Sequence, residues 1–264
     1  MTAREVLDAA VPALAAAGCD TPRLDAELLV ASALGVDRAA LVTEPGTPVP
    51  PAASRLLSEW VRRRGAREPV AYILGRKGFR RIELDVDARV LIPRPETELL
   101  VELALDLPEG ARVHDVGTGS GAVALALLDE RPDLAVSASD RSPAAVAVAR
   151  ANAQRLHLSL SVEVADGLPD GDYELVLANL PYVREDEWAG LAPEITRHEP
   201  REALVAGEDG LDAIRALVAG APAGTHLALE HAPDQGEAVR ALLHAPSTYE
   251  DLAGRERVTA GSVP

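Results

Sequence analysis

Asn179-Leu180-Pro181-Tyr182 closes an apolar run, Leu175-Val176-Leu177-Ala178, that reads as a buried strand. An amide, a proline and a tyrosine therefore stand just past a strand's end. In open α/β sheets, ligands lie in the crevice outside the carboxyl ends of the strands, so this tetrapeptide is placed to meet a substrate. Its side chains suit a planar NH2 group. Asn179 Oδ1 and the Leu180 carbonyl can each accept one of the two hydrogens, while Tyr182 covers the plane. A nitrogen oriented in this way presents its lone pair to an electrophile. No general base is needed, since the proton can leave after the new bond has formed. In isolation, an Asn-Leu-Pro turn leaving a strand is also ordinary turn chemistry.

A second constellation, Asp115-Val116-Gly117-Thr118-Gly119-Ser120-Gly121, ends an earlier strand and opens a helix. Its glycines let a backbone turn pass close to a ligand at the helix N-terminus. The spacing is GxGxG behind an acidic residue, the pattern of S-adenosylmethionine-binding folds, whereas dinucleotide folds use GxGxxG. Asp140 ends the next strand, 140 − 121 = 19 residues beyond the last glycine. An acid there can accept hydrogen bonds from ribose hydroxyls. The competing role for Asp140 is N-cap of the helix beginning near Pro143, for which Ser142 is better suited. Asp166-Gly167 follows the third strand and meets the adenine side, or is a solvated turn. The cofactor site is thus read as Gly117, Thr118, Gly119, Ser120, Gly121, Asp140, Asp166, Gly167 and Asn179. The substrate site is Asn179, Leu180, Pro181 and Tyr182, with Asn179 and Tyr182 catalytic and the sulfonium methyl group as electrophile.

These residues need a sheet to hold them. From Val113 onward, strand-like and helix-like segments alternate, which predicts a parallel sheet with helices on both faces. Strands are expected at 113–116, 134–139, 160–164, 173–178, 226–230 and near 257–260, with helices at 122–129, 143–156, 211–218 and 235–243. Residues 2–17 have helical spacing with Gly18 as a stop. Thr21-Pro22 opens a second helix as N-cap and first helical residue, a third short helix follows Asp37, and 52–64 forms another with Gly65 as C-cap. Residues 1–75 are therefore expected to form a small helical domain, either an interaction module or a structural cap. From Phe79 the period changes to two, predicting a hairpin completed by Arg89-Val90-Leu91-Ile92. The division expected is 1–75 helical, 76–92 hairpin linker, and 93–264 a Rossmann-like α/β domain.

Composition narrows the partners. Of 264 residues, 42 are acidic and 26 basic, a net charge of −16 that repels phosphate backbones. One cysteine, Cys19, cannot form an internal disulfide, which fits a reducing compartment, and no metal cluster is suggested. Residues 1–17 carry Glu5 and Asp8 within the apolar stretch and no basic leader, and no apolar run reaches membrane-span length. A soluble, cytoplasmic protein is expected.

The sequence resembles the PrmC/HemK family, the protein-glutamine methyltransferases acting on peptide chain release factors. The resemblance covers nearly the whole chain: Pro69 to Gly75, Leu91-Ile92-Pro93-Arg94-Pro95-Glu96-Thr97-Glu98, Asp115 to Gly121, Asn179 to Tyr182, Glu199-Pro200 with Ala203-Leu204, and Asp251 to Arg257. The Ile92 to Glu98 stretch is its most specific part, because many other amino-methyltransferases share an Asn-Pro-Pro-Tyr-like motif without it. The resemblance implies a substrate-docking helical domain, a hairpin linker and a class I methyltransferase domain. It further implies methylation of the glutamine in the Gly-Gly-Gln motif of class 1 release factors by a monomer. Three positions depart from the family's pattern: Leu180 where proline is usual, Gly167 where an aromatic residue is frequent, and Pro222-Ala223-Gly224 in place of Pro-Gly-Gly. Leucine can still supply a backbone carbonyl, although proline would have reduced the states open to the loop. Two rival readings are a nucleic-acid adenine methyltransferase, which should carry a basic face, and a cofactor-binding protein without catalysis.

Overall fold

The computed structural model describes residues 1–264, which divide into two compact units: Met1–Gly75 with Ala192–His198, and Arg76–Leu191 with Glu199–Pro264. The first unit is helical. Helix α1 (Ala3–Ala16) opens on a capping box, in which Glu5 N donates to Thr2 Oγ1 at 3.3 Å and Thr2 N to Glu5 Oε2 at 2.8 Å. Helix α2 (Pro22–Leu34) has Pro22 in its first turn and ends at Gly35, whose φ of 66° only glycine adopts freely. Thr21 does not cap α2 through its side chain. Its hydroxyl donates instead to Asp25 Oδ1 at 2.9 Å. Helices α3 (Arg38–Thr43), α4 (Pro51–Gly65) and α5 (Val70–Leu74) follow. Helix α4 runs through Gly65 and is capped by Ala66, one residue past the expected stop. Leu29, Val30, Leu57 and Ile73 form the heart of this unit's core.

Segment 192–198 carries α9 (Pro193–His198) and is fastened by charge. Arg64, only 5% exposed, meets Asp25 Oδ2 at 2.7 Å and Glu194 Oε1 at 2.7 Å, and Arg67 meets Glu194 Oε2 at 2.6 Å. A buried arginine needs such partners, because an unpaired charge removed from water is strongly destabilising.

The second unit begins with strands β1 (Arg76–Phe79) and β2 (Ile82–Asp85), paired antiparallel with Phe79 opposite Ile82. The hairpin is therefore complete before Asp87, and the expectation that Arg89 to Ile92 would form its second strand was wrong. Its two-residue turn, Arg80-Arg81, lacks the usual Asn or Gly, and Arg80 sits at φ 47°. Tertiary partners hold it there: Arg80 N donates to Glu98 Oε1 at 3.1 Å, and its guanidinium pairs with Glu130 at 2.5 Å. Ile92 finds a distant partner in place of a strand, its N–H donating to Glu199 Oε2 at 3.1 Å.

Helix α6 (Glu98–Ala104) leads into the main sheet: β3 (Arg112–Val116), β4 (Ala135–Asp140), β5 (Ser161–Val164), β6 (Leu175–Ala178), β7 (His226–Glu230), β8 (His244–Glu250) and β9 (Glu256–Ser262). The order is β5-β4-β3-β6-β7-β9-β8, parallel from β5 through β7, with β9 antiparallel to both neighbours. Strand β8 was not foreseen. It is an edge strand exposed along almost its whole length, so burial imposes no alternation on its residues. Helices α7 (Ala122–Glu130), α8 (Pro143–Leu156), α10 (Asp212–Gly220) and α11 (Gly236–Arg240) complete the unit. Val176, Leu177, Leu227 and Leu229 are fully buried, as central parallel strands require. The chain steps outward from β3 to β5 and then returns to place β6 on the other side of β3. That reversal opens a crevice at their carboxyl ends. No helix is long and apolar enough to cross a membrane.

Candidate active site

The turn after β3 is held from beneath. Asp115, 2% exposed, accepts from Thr118 Oγ1 at 2.6 Å and from Ala124 N at 3.3 Å, while burial pushes its carboxyl up to about 6. Gly117 N and Thr118 N both donate to Ser139 O, at 2.9 and 3.0 Å, strapping the turn to β4. Gly117 and Gly119 adopt φ of 73° and 56°, and the space beside Gly119 is open. Gly121 serves packing: a Cβ there would lie 2.8 Å from Leu125 Cδ1. Asn152, fully buried on α8, donates to Ser120 O and Asp85 O, both at 2.9 Å, and accepts from Asp85 N at 2.8 Å. One amide thus ties the glycine turn to the hairpin.

Above the turn lies a cavity of about 680 Å³. Gly117, Thr118, Gly119, Ser120, Asp140, Asp166, Gly167, Asn179, Leu180 and Pro181 all line it, whereas Gly121 and Tyr182 do not. Asp140 is already engaged, its Oδ2 accepting from Gly119 N at 2.9 Å and its Oδ1 from Ser142 N at 2.8 Å. Ser142 takes the N-cap of α8, its Oγ accepting from Ala145 N at 3.3 Å. The Leu180 side chain lies over the glycine turn, so that a Cβ on Gly117 would be 2.9 Å from Leu180 Cδ2. The residue that departs from the family pattern thereby helps to wall the cavity.

Tyr182, which follows the cavity-lining Pro181, lines a groove of about 430 Å³ with Val183, Leu191 and Ala232. Its phenol donates to Glu230 Oε1 at 3.2 Å and titrates well above its ordinary range, through burial and then the neighbouring Glu230 charge. Its carbonyl accepts from Gln235 Nε2 at 2.9 Å.

Three polar residues at this site were not assigned roles from sequence. Thr97 Oγ1 accepts from Asn179 Nδ2 at 2.8 Å. Glu230, 1% exposed, ends β7 at the same sheet edge as Asn179, and burial pushes its carboxyl up to about 7. Glu199 pairs with Arg94 at 2.5 Å and, through Ile92 N, pins the segment leading to Thr97. A signal existed for Glu230, since a carboxylate that ends the apolar run Leu227-Ala228-Leu229 has a reason to be there. Thr97 offered none beyond its place in Ile92 to Glu98.

Comparison with known proteins bears on the whole chain. The family model described as PrmC N-terminal domain matches residues 5–75, and that described as Methyltransferase small domain matches 93–207. A release factor glutamine methyltransferase of Cereibacter sphaeroides is 44% identical, covering 100% of this chain and 99% of its own. One of Pseudomonas aeruginosa is 46% identical over 92% of this chain and 94% of its own. The solved hMettl16 catalytic domain, in complex with MAT2A 3'UTR hairpin 6, covers 69% of this chain and 75% of its own. At 15% identity and a TM-score of 0.53, it shares the fold alone. With such identity to those relatives sustained over at least 92% of its length, this chain belongs to the release factor glutamine methyltransferase family.

Proposed function

We propose that the protein transfers the methyl group of S-adenosylmethionine to the side-chain amide nitrogen of the glutamine in the Gly-Gly-Gln motif of class 1 peptide chain release factors. The observation that carries this reading is the Asn179 side chain, fixed by Thr97 in the wall of a cavity that also contains the glycine turn. That cavity fits the cofactor. Its left-handed glycines leave open room beside Gly119, and Asp140 in the same wall can accept from ribose hydroxyls. When bound, S-adenosylmethionine supplies an electrophilic methyl group on sulfur.

The remaining work belongs to the chain. Asn179 Oδ1 and the Leu180 carbonyl accept the two hydrogens of the glutamine amide and turn its lone pair toward the methyl group. Tyr182, its phenol tied down by Glu230, offers its ring to the planar amide. The apolar groove beside Tyr182 receives the backbone flanking the glutamine, and the helical unit docks the body of the release factor. Domain limits of 1–75, 76–92 and 93–264 accompany this reading, with a cytoplasmic monomer that has no direct nucleic-acid contact. A net charge of −16 disfavours the alternative acceptor, adenine in a nucleic acid.

Asn179→Ala tests the assignment. Binding of S-adenosylhomocysteine should stay near the wild-type value, while methylation of a purified release factor falls by roughly 10² or more. Undiminished methylation would remove Asn179 from the mechanism.

A further inference from the structure

Asn179 and Tyr182 are held from two different elements, and their holders are neighbours. Thr97, 4% exposed, accepts from Asn179 Nδ2 at 2.8 Å, and Glu230, 1% exposed, accepts from Tyr182 Oη at 3.2 Å. Thr97 stands close enough to favour the ionised form of Glu230. Glu230 Oε2 is nevertheless buried without a hydrogen-bond partner of ordinary geometry, which leaves it free to accept from the Thr97 hydroxyl beside it. The ionisable groups that act most strongly on this carboxylate are Tyr182, Arg257 from β9 and Glu96 from the turn before α6.

We propose that Glu230 is a positioning residue that decides, through Thr97, which end of the Asn179 amide looks into the cavity. A hydroxyl has a single hydrogen. An ionised Glu230 accepts only, so the Thr97 hydrogen turns toward it and Thr97 Oγ1 is left as an acceptor for Asn179. Only Nδ2 can then face Thr97, and Oδ1 is presented to the substrate. A neutral carboxyl, or a glutamine in its place, can donate to Thr97. The Thr97 hydrogen is then released to Asn179 Oδ1, the amide flips, and Nδ2 opposes the NH2 group of the substrate. Burial raises the Glu230 carboxyl, while Thr97, Tyr182 and Arg257 lower it and Glu96 raises it, with a net result of about 7. The productive orientation is therefore lost on the acid side of neutrality.

This inference rests on the reading of Asn179 as the holder of the substrate amide, which Asn179→Ala tests separately. The experiment combines Glu230→Gln with Thr97→Ser and Thr97→Val, assayed by steady-state methylation of a release factor from pH 5.5 to 9, with S-adenosylhomocysteine binding and thermal unfolding measured alongside. Wild type should lose kcat as pH falls through about 7. Glu230→Gln should lower kcat tenfold or more, flatten that acid limb, and leave cofactor binding within about twofold. Thr97→Ser should retain activity. In Thr97→Val, where the relay is broken, adding Glu230→Gln should cost less than threefold further. A wild-type kcat that is level between pH 6 and 8 overturns the proposal without requiring any variant to fold. So does a Glu230→Gln loss of equal size in the Thr97→Ser and Thr97→Val backgrounds. If Asn179→Ala keeps full activity, the underlying reading fails instead.

Discussion

The Asp140 carboxylate accepts from the Gly119 amide at 2.9 Å and thereby joins the end of β4 to the turn after β3. The residue expected to meet a ribose thus also shapes the loop beneath it, its second oxygen being held by Ser142 N at 2.8 Å. Both hydrogen bonds have a charged acceptor, the stronger kind.

Asp140→Ala should accordingly weaken cofactor binding by about 10- to 100-fold, corresponding to about 1.5–3 kcal/mol for a hydrogen-bonded charge. At saturating cofactor, kcat should fall much less. Calorimetric titration with S-adenosylhomocysteine checks the first statement and steady-state assays the second. Unaltered affinity would confine Asp140 to a structural role.

Gly117→Ala combines two penalties. An alanine at φ 73° costs about 1–2 kcal/mol, and its Cβ would lie 2.9 Å from Leu180 Cδ2. The leucine must then move, so cofactor affinity should drop along with stability. Leu180→Ala in the same chain should relieve the collision and leave the backbone strain. A double-mutant cycle read by urea unfolding should therefore show coupling between the two positions of about 0.5–1 kcal/mol. Strict additivity would mean that Leu180 yields at no cost.

Glu194 predicts an acid-sensitive helical unit. Burial raises its carboxyl, but Arg67 and Arg64 lower it more, to about 2 from 4.5. Its folded value is depressed below its unfolded one, so its stabilisation is complete above about 4.5 and is lost as pH falls toward 2. Glu194→Gln should destabilise the protein by about 3 kcal/mol at pH 7, the lower end for a broken buried pair because Asp25 still faces Arg64. The gap between variant and wild type should narrow below pH 4. Unfolding melts across pH 3–7 would detect it, and a constant gap would contradict the assignment.

The periodicity of the chain was sufficient for the alternating half as far as its parallel strands and the helices between them. Helix α8 begins at Pro143 and ends at Leu156 as expected, because Ser142, Pro143 and the apolar stripe all act within a few residues. The glycine turn and the tetrapeptide after β6 were legible for the same reason, being contiguous motifs at strand ends. What sequence misplaced depended on remote partners. The Arg80-Arg81 turn relies on Glu98 and Glu130, and Ile92 relies on Glu199, 107 residues away. Strand β8 carries no pattern because neither face is buried.

The site divides along the same line. Residue type and spacing alone determined that an amide would follow β6 and a glycine turn β3, since each is a local property of a strand end. How Asn179 and Tyr182 are anchored was decided by tertiary structure, because Thr97 lies 82 residues before Asn179 and Glu230 lies 48 residues beyond Tyr182. A hydrogen bond needs its partners about 3 Å apart, and a pair this distant in sequence is brought to that separation only by the packing of the sheet.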